Sequence, residues 1–166
     1  MNDSEITNPL AKRLHEKKDA EDAQTGKNLL EKDFISKGKA AAPDQLREID
    51  SQLARYVQTY NTQRPAGASQ LRHVPNRVYA GMKFAAIFEL MPRLEDSRLH
   101  VTVGLHVAAG VMMAEIPNVE PTEWWLQAYM DDGGFAWLDG QGGRHNNSEI
   151  VDAAMKVLGE LLLTAP

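Results

Sequence analysis

The sequence lacks cysteine, and this absence excludes several kinds of site. Without a thiol the chain can form no disulfide, no thiolate metal site and no cysteine nucleophile. It also lacks a long apolar run: residues 107–114 are interrupted by Gly110 and fall far short of the roughly 20 residues that span a bilayer. The first five residues are polar and acidic, unlike the basic and then apolar start of a signal peptide. We therefore expect a cytoplasmic protein that does not enter a membrane.

The net charge of −5 is distributed unevenly along the chain. The first 66 residues contain eleven basic and eleven acidic side chains, whereas the remainder contains seven basic and twelve acidic ones. Because an acidic domain repels phosphate backbones, we expect no nucleic-acid partner. The mixed charges of the first part indicate a solvated helix surface rather than a basic arm.

Aromatic residues are few, and five of the eleven lie within residues 123–139. This stretch contains all three tryptophans and predicts two strands joined by the Asp-Asp-Gly-Gly turn of residues 131–134. Trp124 and Trp125 are adjacent and should therefore point to opposite faces of their strand. One of them is then expected to leave the side that a C-terminal helix covers. An outward tryptophan must be buried by the N-terminal helices, by a partner or by a ligand.

Residues 1–66 are predicted to form a helical, mixed-charge segment. Asn8 is a suitable N-cap, because it precedes a proline at the first helical position. We expect Gly26 and Gly38 to end the first two helices. The three expected helices span residues 9–24, 28–37 and 42–61.

The third of these helices has apolar residues at a 3-4-3-4 spacing, which is typical of a helical contact seam. The seam consists of Leu46, Ile49, Leu53, Tyr56 and Tyr60. Two interpretations remain open. The helix packs on the rest of the domain, or its seam binds a partner or a second copy of the chain.

Residues 67–166 are predicted to form an α+β core domain, because the apolar period changes to two after a polar linker at 63–70. The expected strands span residues 83–91, 98–106, 111–116, 123–130 and 134–138. In the second strand the pattern places Leu99, Val101, Val103 and Leu105 inward and Arg98, His100, Thr102 and His106 outward.

A final helix follows, with Asn146 as its cap and Glu149 three residues later. Its broad apolar stripe has to be covered, and the sheet is the available surface. The predicted fold is therefore α+β, with N-terminal helices, an antiparallel β-meander of four to five strands and a C-terminal helix packed on the sheet.

One short pattern suggests catalysis. His100-Val101-Thr102-Val103 resembles the His-x-Thr-x motif of the 2H phosphoesterase superfamily. The resemblance implies that His100 and Thr102 would grip a phosphate together from one side of a strand. Such enzymes use two copies of the motif, one histidine as base and one as acid. This chain has no second copy, and the commoner interpretation is a strand with a polar outer face.

A glycine-rich stretch at residues 139–145 separates the last predicted strand from the final helix, so Arg144 would lie near a positive helix terminus. Histidine replaces the third glycine of a phosphate-binding loop, and the stretch favours a plain turn. The aspartates at 131, 132 and 139 do not have the spacing of a calcium-binding loop. We expect neither a metal nor a cofactor.

These features favour a noncatalytic protein-binding module of the chaperone, adaptor or toxin-neutralising type. Its partner would be another protein or a second copy of itself, and the expected binding residues are Trp124, Trp125, Tyr56 and Tyr60. One alternative is an enzyme that acts on phosphoesters through His100, Thr102 and Arg144. A second alternative is a domain that holds an apolar ligand between a helix and the sheet.

Overall fold

The computed structural model describes residues 6–81, 84–109 and 112–164. The chain forms two compact units, Met1–Phe34 and Ile35–Pro166. Helix α1 spans Pro9–Gln63. The side-chain oxygen of Asn8 accepts hydrogen bonds from the backbone N–H groups of Leu10 and Ala11, at 3.0 and 3.1 Å. Asn8 is therefore the N-cap that its position before Pro9 predicts.

Eight strands of the described chain form one antiparallel sheet, and a second helix follows it. The strands are β1 Leu71–Val74, β2 Arg77–Ala80, β3 Ala85–Arg93, β4 Arg98–Ala109, β5 Met112–Glu115, β6 Thr122–Asp131, β7 Gly134–Leu138 and β8 Arg144–His145. Their order is β1-β2-β3-β4-β6-β7-β8, and β5 pairs with the end of β4. Helix α2 spans Asn147–Thr164. The α+β class with an antiparallel sheet is confirmed.

The sheet has more strands than the four to five predicted. The additional strands are short: β1 and β2 have four residues each, and β8 has two. Pro75 and Asn76 join β1 to β2, and Asn76 has a φ of 64°. Proline followed by a residue with positive φ is typical of a type II turn. That dipeptide is the one local signal of this hairpin.

The N-terminal region is one helix, so the prediction that Gly26 and Gly38 end separate helices is wrong. A glycine inside a helix costs only about 1 kcal/mol relative to alanine, and most residues within one turn of Gly26 are good helix formers (Ala23, Gln24, Lys27, Leu29 and Leu30). In unit Ile35–Pro166, Gly38 lies where α1 meets β6. A Cβ at Gly38 would lie 2.6 Å from the Cα of Tyr129. The missing side chain therefore permits this close approach of helix and strand.

Strand β4 alternates as predicted. Leu99, Val101, Val103 and Leu105 are all buried. We call the face that carries them the inner face of the sheet, and the opposite one the outer face. The inner-face residues belong to one hydrophobic cluster that also contains Ile49 and Leu53 of α1 and Leu158 of α2. The compact units accordingly do not coincide with the predicted division at residue 66, because the later part of α1 contributes to the same core as the strands.

Polar contacts hold the two helices in this core. The Trp137 indole is 1 % exposed, and its Nε1 donates to Oδ1 of Asn147 at 2.9 Å. The Asn147 amide in turn donates to Oε1 of Gln45 on α1, at 2.8 Å. The Asn61 side chain bonds both the N–H and the C=O of Leu71 in β1. Asn146 caps α2 as predicted, accepting from the backbone N–H of Glu149.

Helices α1 and α2 were compared with the requirements for a membrane-spanning helix. Among the described residues, neither helix combines the length and the apolar composition that crossing a bilayer requires.

Candidate functional site

The adjacent tryptophans of β6 differ in their surroundings. Trp124 packs against the hydrophobic cluster on the inner face. Trp125 is 43 % exposed and occupies the outer face. The difference follows from the alternation of side chains along a strand. The structure thus leaves the Trp125 side chain exposed on the face that carries none of the core cluster.

Trp125 rests on a histidine of the neighbouring strand. His100 of β4 lies directly opposite Trp125 in the sheet register. The two rings stack with centroids 4.2 Å apart and an angle of 11° between their planes. The Arg93 guanidinium lies 5.8 Å from the Trp125 ring centroid, within the range of a cation–π contact. His100 itself is only 8 % exposed, because the indole covers it.

Two polar groups approach the Nε2 atom of His100. The Thr102 hydroxyl lies 3.3 Å from it, and a carboxylate oxygen of Glu123 lies 3.6 Å from it. The predicted pair of His100 and Thr102 therefore does share one side of β4. A carboxylate beside this pair repels a phosphate group, so the surroundings are poorly suited to binding phosphoesters.

Exposed apolar residues extend from this stack. Met91 of β3 lies opposite His100 on the other side of β4 and is exposed. Further along the sheet, Val107 of β4 and Met112 and Met113 of β5 are also exposed, and Met112 reaches 78 %. Met113 lies opposite Ala108 on the outer face, whereas Val107 and Met112 alternate onto the side of the inner face. All four residues of β5 are exposed. We call Met91, Arg93, His100 and Trp125 the outer-face patch, and the exposed residues 107, 108 and 112–115 of the paired strands β4 and β5 the exposed hairpin.

A cavity of about 190 Å³ lies on the inner face, at the N-terminal end of α2. Its apolar lining comes from three elements: Val101 of β4, Trp124 and Leu126 of β6, and Ile150 and Ala153 of α2. Its remaining lining residues are Asp139, His145 and Glu149. The cavity is therefore an apolar space with a charged rim.

The three charged residues of the rim form one cluster. Nε2 of His145 lies 2.7 Å from a carboxylate oxygen of Asp139, and Nδ1 lies 3.3 Å from one of Glu149. The hydrogen bond with Asp139 raises the pKa of His145 above its ordinary value and lowers the pKa of Asp139. Asp139 also accepts from the backbone N–H groups of Gln141 and Gly143, which fix its orientation.

This cluster is arranged as hydrogen-bonded ion pairs. Both ring nitrogens of His145 face carboxylates, so the imidazole directs no lone pair at an open site. In the described part of the chain, no group of three or more histidine, aspartate or glutamate side chains is arranged to hold a metal ion.

Arg144 belongs to β8, and its side chain reaches the turn between β6 and β7. Its guanidinium forms two hydrogen bonds with Asp131, at 2.7 and 3.2 Å, and lies 5.7 Å from the Tyr129 ring centroid. The hydrogen bond from Arg144 lowers the pKa of Asp131. Tyr129 is four residues beyond Trp125 on β6, or about 13 Å at ~3.3 Å per residue. The structure therefore does not bring Arg144 together with His100 and Thr102.

Tyr56 and Tyr60 lie on α1, whose neighbouring residues Leu53 and Val57 belong to the core. Tyr56 is exposed, and the Tyr60 hydroxyl donates to the carbonyl of Ser69 at 2.9 Å. The core that α1 joins lies on the inner face, whereas Trp125 is on the outer face. The structure thus separates the two tyrosines from Trp125 instead of assembling one surface from them.

Sequence reasoning missed the cluster on the cavity rim. The four-residue spacing of His145 and Glu149 was a usable signal, because it places one residue at the edge of α2 and the other in its first turn. No protein-family profile, curated protein sequence or solved structure matches this chain. Similarity therefore assigns it neither a family nor an activity.

Proposed function

We propose that the protein is a noncatalytic cytoplasmic module that binds another polypeptide through the outer face of its sheet. The observation that supports this most directly is the outer-face patch, in which Trp125 is exposed with the Arg93 guanidinium 5.8 Å from its ring centroid. Tryptophan and arginine are the residues that most often dominate the energetics of protein interfaces.

The support beneath Trp125 strengthens the proposal. His100 is buried and stacks on the indole, so the ring is held before any partner arrives. A side chain that is already ordered loses little conformational entropy on binding. An exposed tryptophan without a supporting ring beneath it would have to be ordered by the partner.

The exposed hairpin suggests how the surface extends. In the described residues β5 pairs with β4 alone, which leaves its other edge unpaired. The residues are Met112, Met113, Ala114 and Glu115, so the edge is largely apolar. Exposed apolar edges readily pair with a strand from another chain. The partner would add a strand at β5 or cover the hairpin while it contacts Trp125.

Site-specific photocrosslinking tests the proposal and identifies the partner in the same experiment. A photoreactive phenylalanine analogue is placed at Trp125, at Met113 or, as a control, at the exposed Gln58 of α1. The full chain is irradiated in its native cells and the adducts are identified by mass spectrometry. We expect positions 125 and 113 to yield the same discrete polypeptide adduct and position 58 to yield none of it. An adduct of twice the chain mass would identify the partner as a second copy.

Two results would contradict the proposal. Positions 125 and 113 could give no adduct although the variants accumulate and fold, or all three positions could give the same mixture. Either result would mean that the outer-face patch does not bind a polypeptide in the cell.

The phosphoester alternative has one supporting observation, the 3.3 Å contact between Thr102 and His100. This alternative requires that the protein hydrolyses a phosphodiester. It also requires that His100→Ala abolishes the hydrolysis while the variant stays folded. Such a result would replace the binding proposal with an enzymatic one.

A further inference from the structure

The cavity on the inner face has the size of one small molecule. An enclosed apolar cavity of roughly 150 Å³ accepts a benzene molecule, and the half-open space beside α2 is about 190 Å³. Val101, Leu126 and Ile150 supply aliphatic walls. A ligand body of about one aromatic ring, or an aliphatic group of equal volume, would fill this space.

Trp124 narrows the choice of ligand. Its indole lines the cavity and packs against the core, so it is held in place. An indole offers a flat surface for stacking and a negative ring face for a cation. Both properties favour an aromatic body that carries a positive charge.

The rim has a net negative charge in either protonation state of His145. Asp139 and Glu149 contribute two carboxylates, and His145 contributes at most one positive charge. This net charge exceeds the roughly half positive charge of the α2 N-terminus. The rim therefore attracts a cationic head and repels an anionic one.

We propose that this cavity binds a small aromatic amine, with its ring against Trp124 and its ammonium group at the carboxylates of Asp139 and Glu149. The site lies on the inner face, away from the outer-face patch. The proposal is thus independent of polypeptide binding, and either one can fail alone.

Three probes of equal size and different charge test this inference: benzylamine as the ammonium, benzyl alcohol and benzoate. Each is titrated into the full chain labelled with ¹⁵N-tryptophan. The three indole N–H signals are assigned with single Trp→Phe variants. We expect benzylamine to shift the Trp124 signal saturably while the Trp125 and Trp137 signals stay in place. Its affinity should exceed that of benzyl alcohol by about five- to tenfold, the ratio expected for one partly exposed charge pair, and benzoate should bind most weakly.

Two variants identify the site. Ala153→Leu places extra volume at the cavity and should weaken every probe by at least about tenfold, whereas Thr164→Leu, an exposed position on the same helix, should change nothing. Glu149→Gln keeps the size of the side chain and should remove most of the preference for benzylamine over benzyl alcohol. The capping bond from the Glu149 backbone N–H survives this change.

The inference is overturned if no probe gives a saturable shift of the Trp124 signal. It is equally overturned if Ala153→Leu, with an otherwise unchanged spectrum, binds benzylamine as well as the native chain does. A benzoate affinity equal to that of benzylamine would eliminate the proposed ammonium head.

Discussion

Trp125 and His100 are a cross-strand pair in which a buried imidazole supports an exposed indole, with ring centroids 4.2 Å apart. Directly opposed aromatic side chains stabilise an antiparallel pair by about 0.2–1 kcal/mol, so the stack contributes modestly to the sheet. The same stack determines where the largest exposed ring on the outer face points. Trp125 therefore contributes little to the stability of the fold but has a fixed orientation. Both properties suit a residue that binds a partner.

The two tryptophans Trp125 and Trp137 should differ sharply in their effect on stability. Trp137 is almost fully buried and hydrogen-bonded to Asn147. We expect Trp137→Ala to lower the free energy of unfolding by about 3–5 kcal/mol, and Trp125→Ala to lower it by no more than about 1 kcal/mol. Urea denaturation of both variants measures this difference. Equal losses would show that the Trp125 stack is primarily structural.

Helix α2 offers a matched pair of leucines. Leu158 is buried in the core cluster, whereas Leu163 is 88 % exposed. Leu158→Ala should cost about 2–5 kcal/mol and Leu163→Ala less than about 0.5 kcal/mol. Calorimetric melting of the two variants tests whether α2 covers the sheet with the Leu158 side. A larger loss for Leu163 would require the opposite orientation of the helix.

Two helical glycines should respond oppositely to alanine. A Cβ at Gly38 would collide with the backbone of Tyr129, so Gly38→Ala should destabilise the fold by about 1–3 kcal/mol. A Cβ at Gly159 of α2 would meet no atom within 4 Å, so Gly159→Ala should stabilise by about 0.5–1 kcal/mol. Melting temperatures of the two variants check the prediction. A neutral Gly38→Ala would mean that α1 does not approach β6 this closely.

The ion pair of His145 and Asp139 should make stability depend on pH. Asp139 raises the pKa of His145, so this contribution is complete below the ordinary value of 6.5 and is lost as the pH rises through the raised pKa. His145 lowers the pKa of Asp139, so that contribution is present above 3.8 and is lost as the pH falls through the lowered pKa. The melting deficit of His145→Gln should therefore be largest between about pH 4 and 6.5 and smaller near pH 9.

The control for this experiment is His15→Gln, because His15 lies on the exposed part of α1. Its melting temperature should match that of the native chain at every pH. A deficit of His145→Gln that stays constant from pH 5 to about pH 9 would exclude a charged histidine from the pair.

Removal of residues 1–34 should leave a cooperative melt. From residue 6 to residue 33 every side chain except Ala11 is exposed, and the second compact unit begins at Ile35. We expect the melting temperature to change by less than about 4 °C, which corresponds to under 1 kcal/mol for a domain of this size. A deletion that continues through residue 53 should abolish the transition, because it removes Ile49 and Leu53 from the core. A broad, noncooperative melt of the shorter deletion would show that the first unit is required for folding.

Sequence patterns correctly predicted the features that depend on residues close together in the chain. The alternation of β4, the turn between β6 and β7 and the cap of α2 at Asn146 all follow from residues within one element. The continuity of α1 could not be predicted in this way. At Gly38 the deciding contact comes from Tyr129, more than ninety positions along the chain.

The candidate sites were predictable to a similar degree. Opposite orientations for Trp124 and Trp125 followed from strand geometry, because alternation depends on adjacent residues alone. The stack on His100 required the register between β4 and β6, and the cavity required residues of α2 to lie near those of β4 and β6. The prediction grouped Tyr56 with Trp125 because both are aromatic and neither has an obvious partner nearby in the sequence. Sequence spacing alone does not determine which face of a sheet a distant helix covers.

Strand β4 pairs with β3 on one side and with both β5 and β6 on the other, more neighbours than any other described strand has. A change in the length of β4 would therefore disturb its pairing with all three neighbouring strands. One residue inserted before His100 would turn every later side chain of β4 to the opposite face, exchanging Val101 and Val103 for polar groups in the core. The loop between β5 and β6 carries no such pairing and should accept extra residues. Insertions and deletions in natural variants of this chain should therefore fall in that loop and avoid β4.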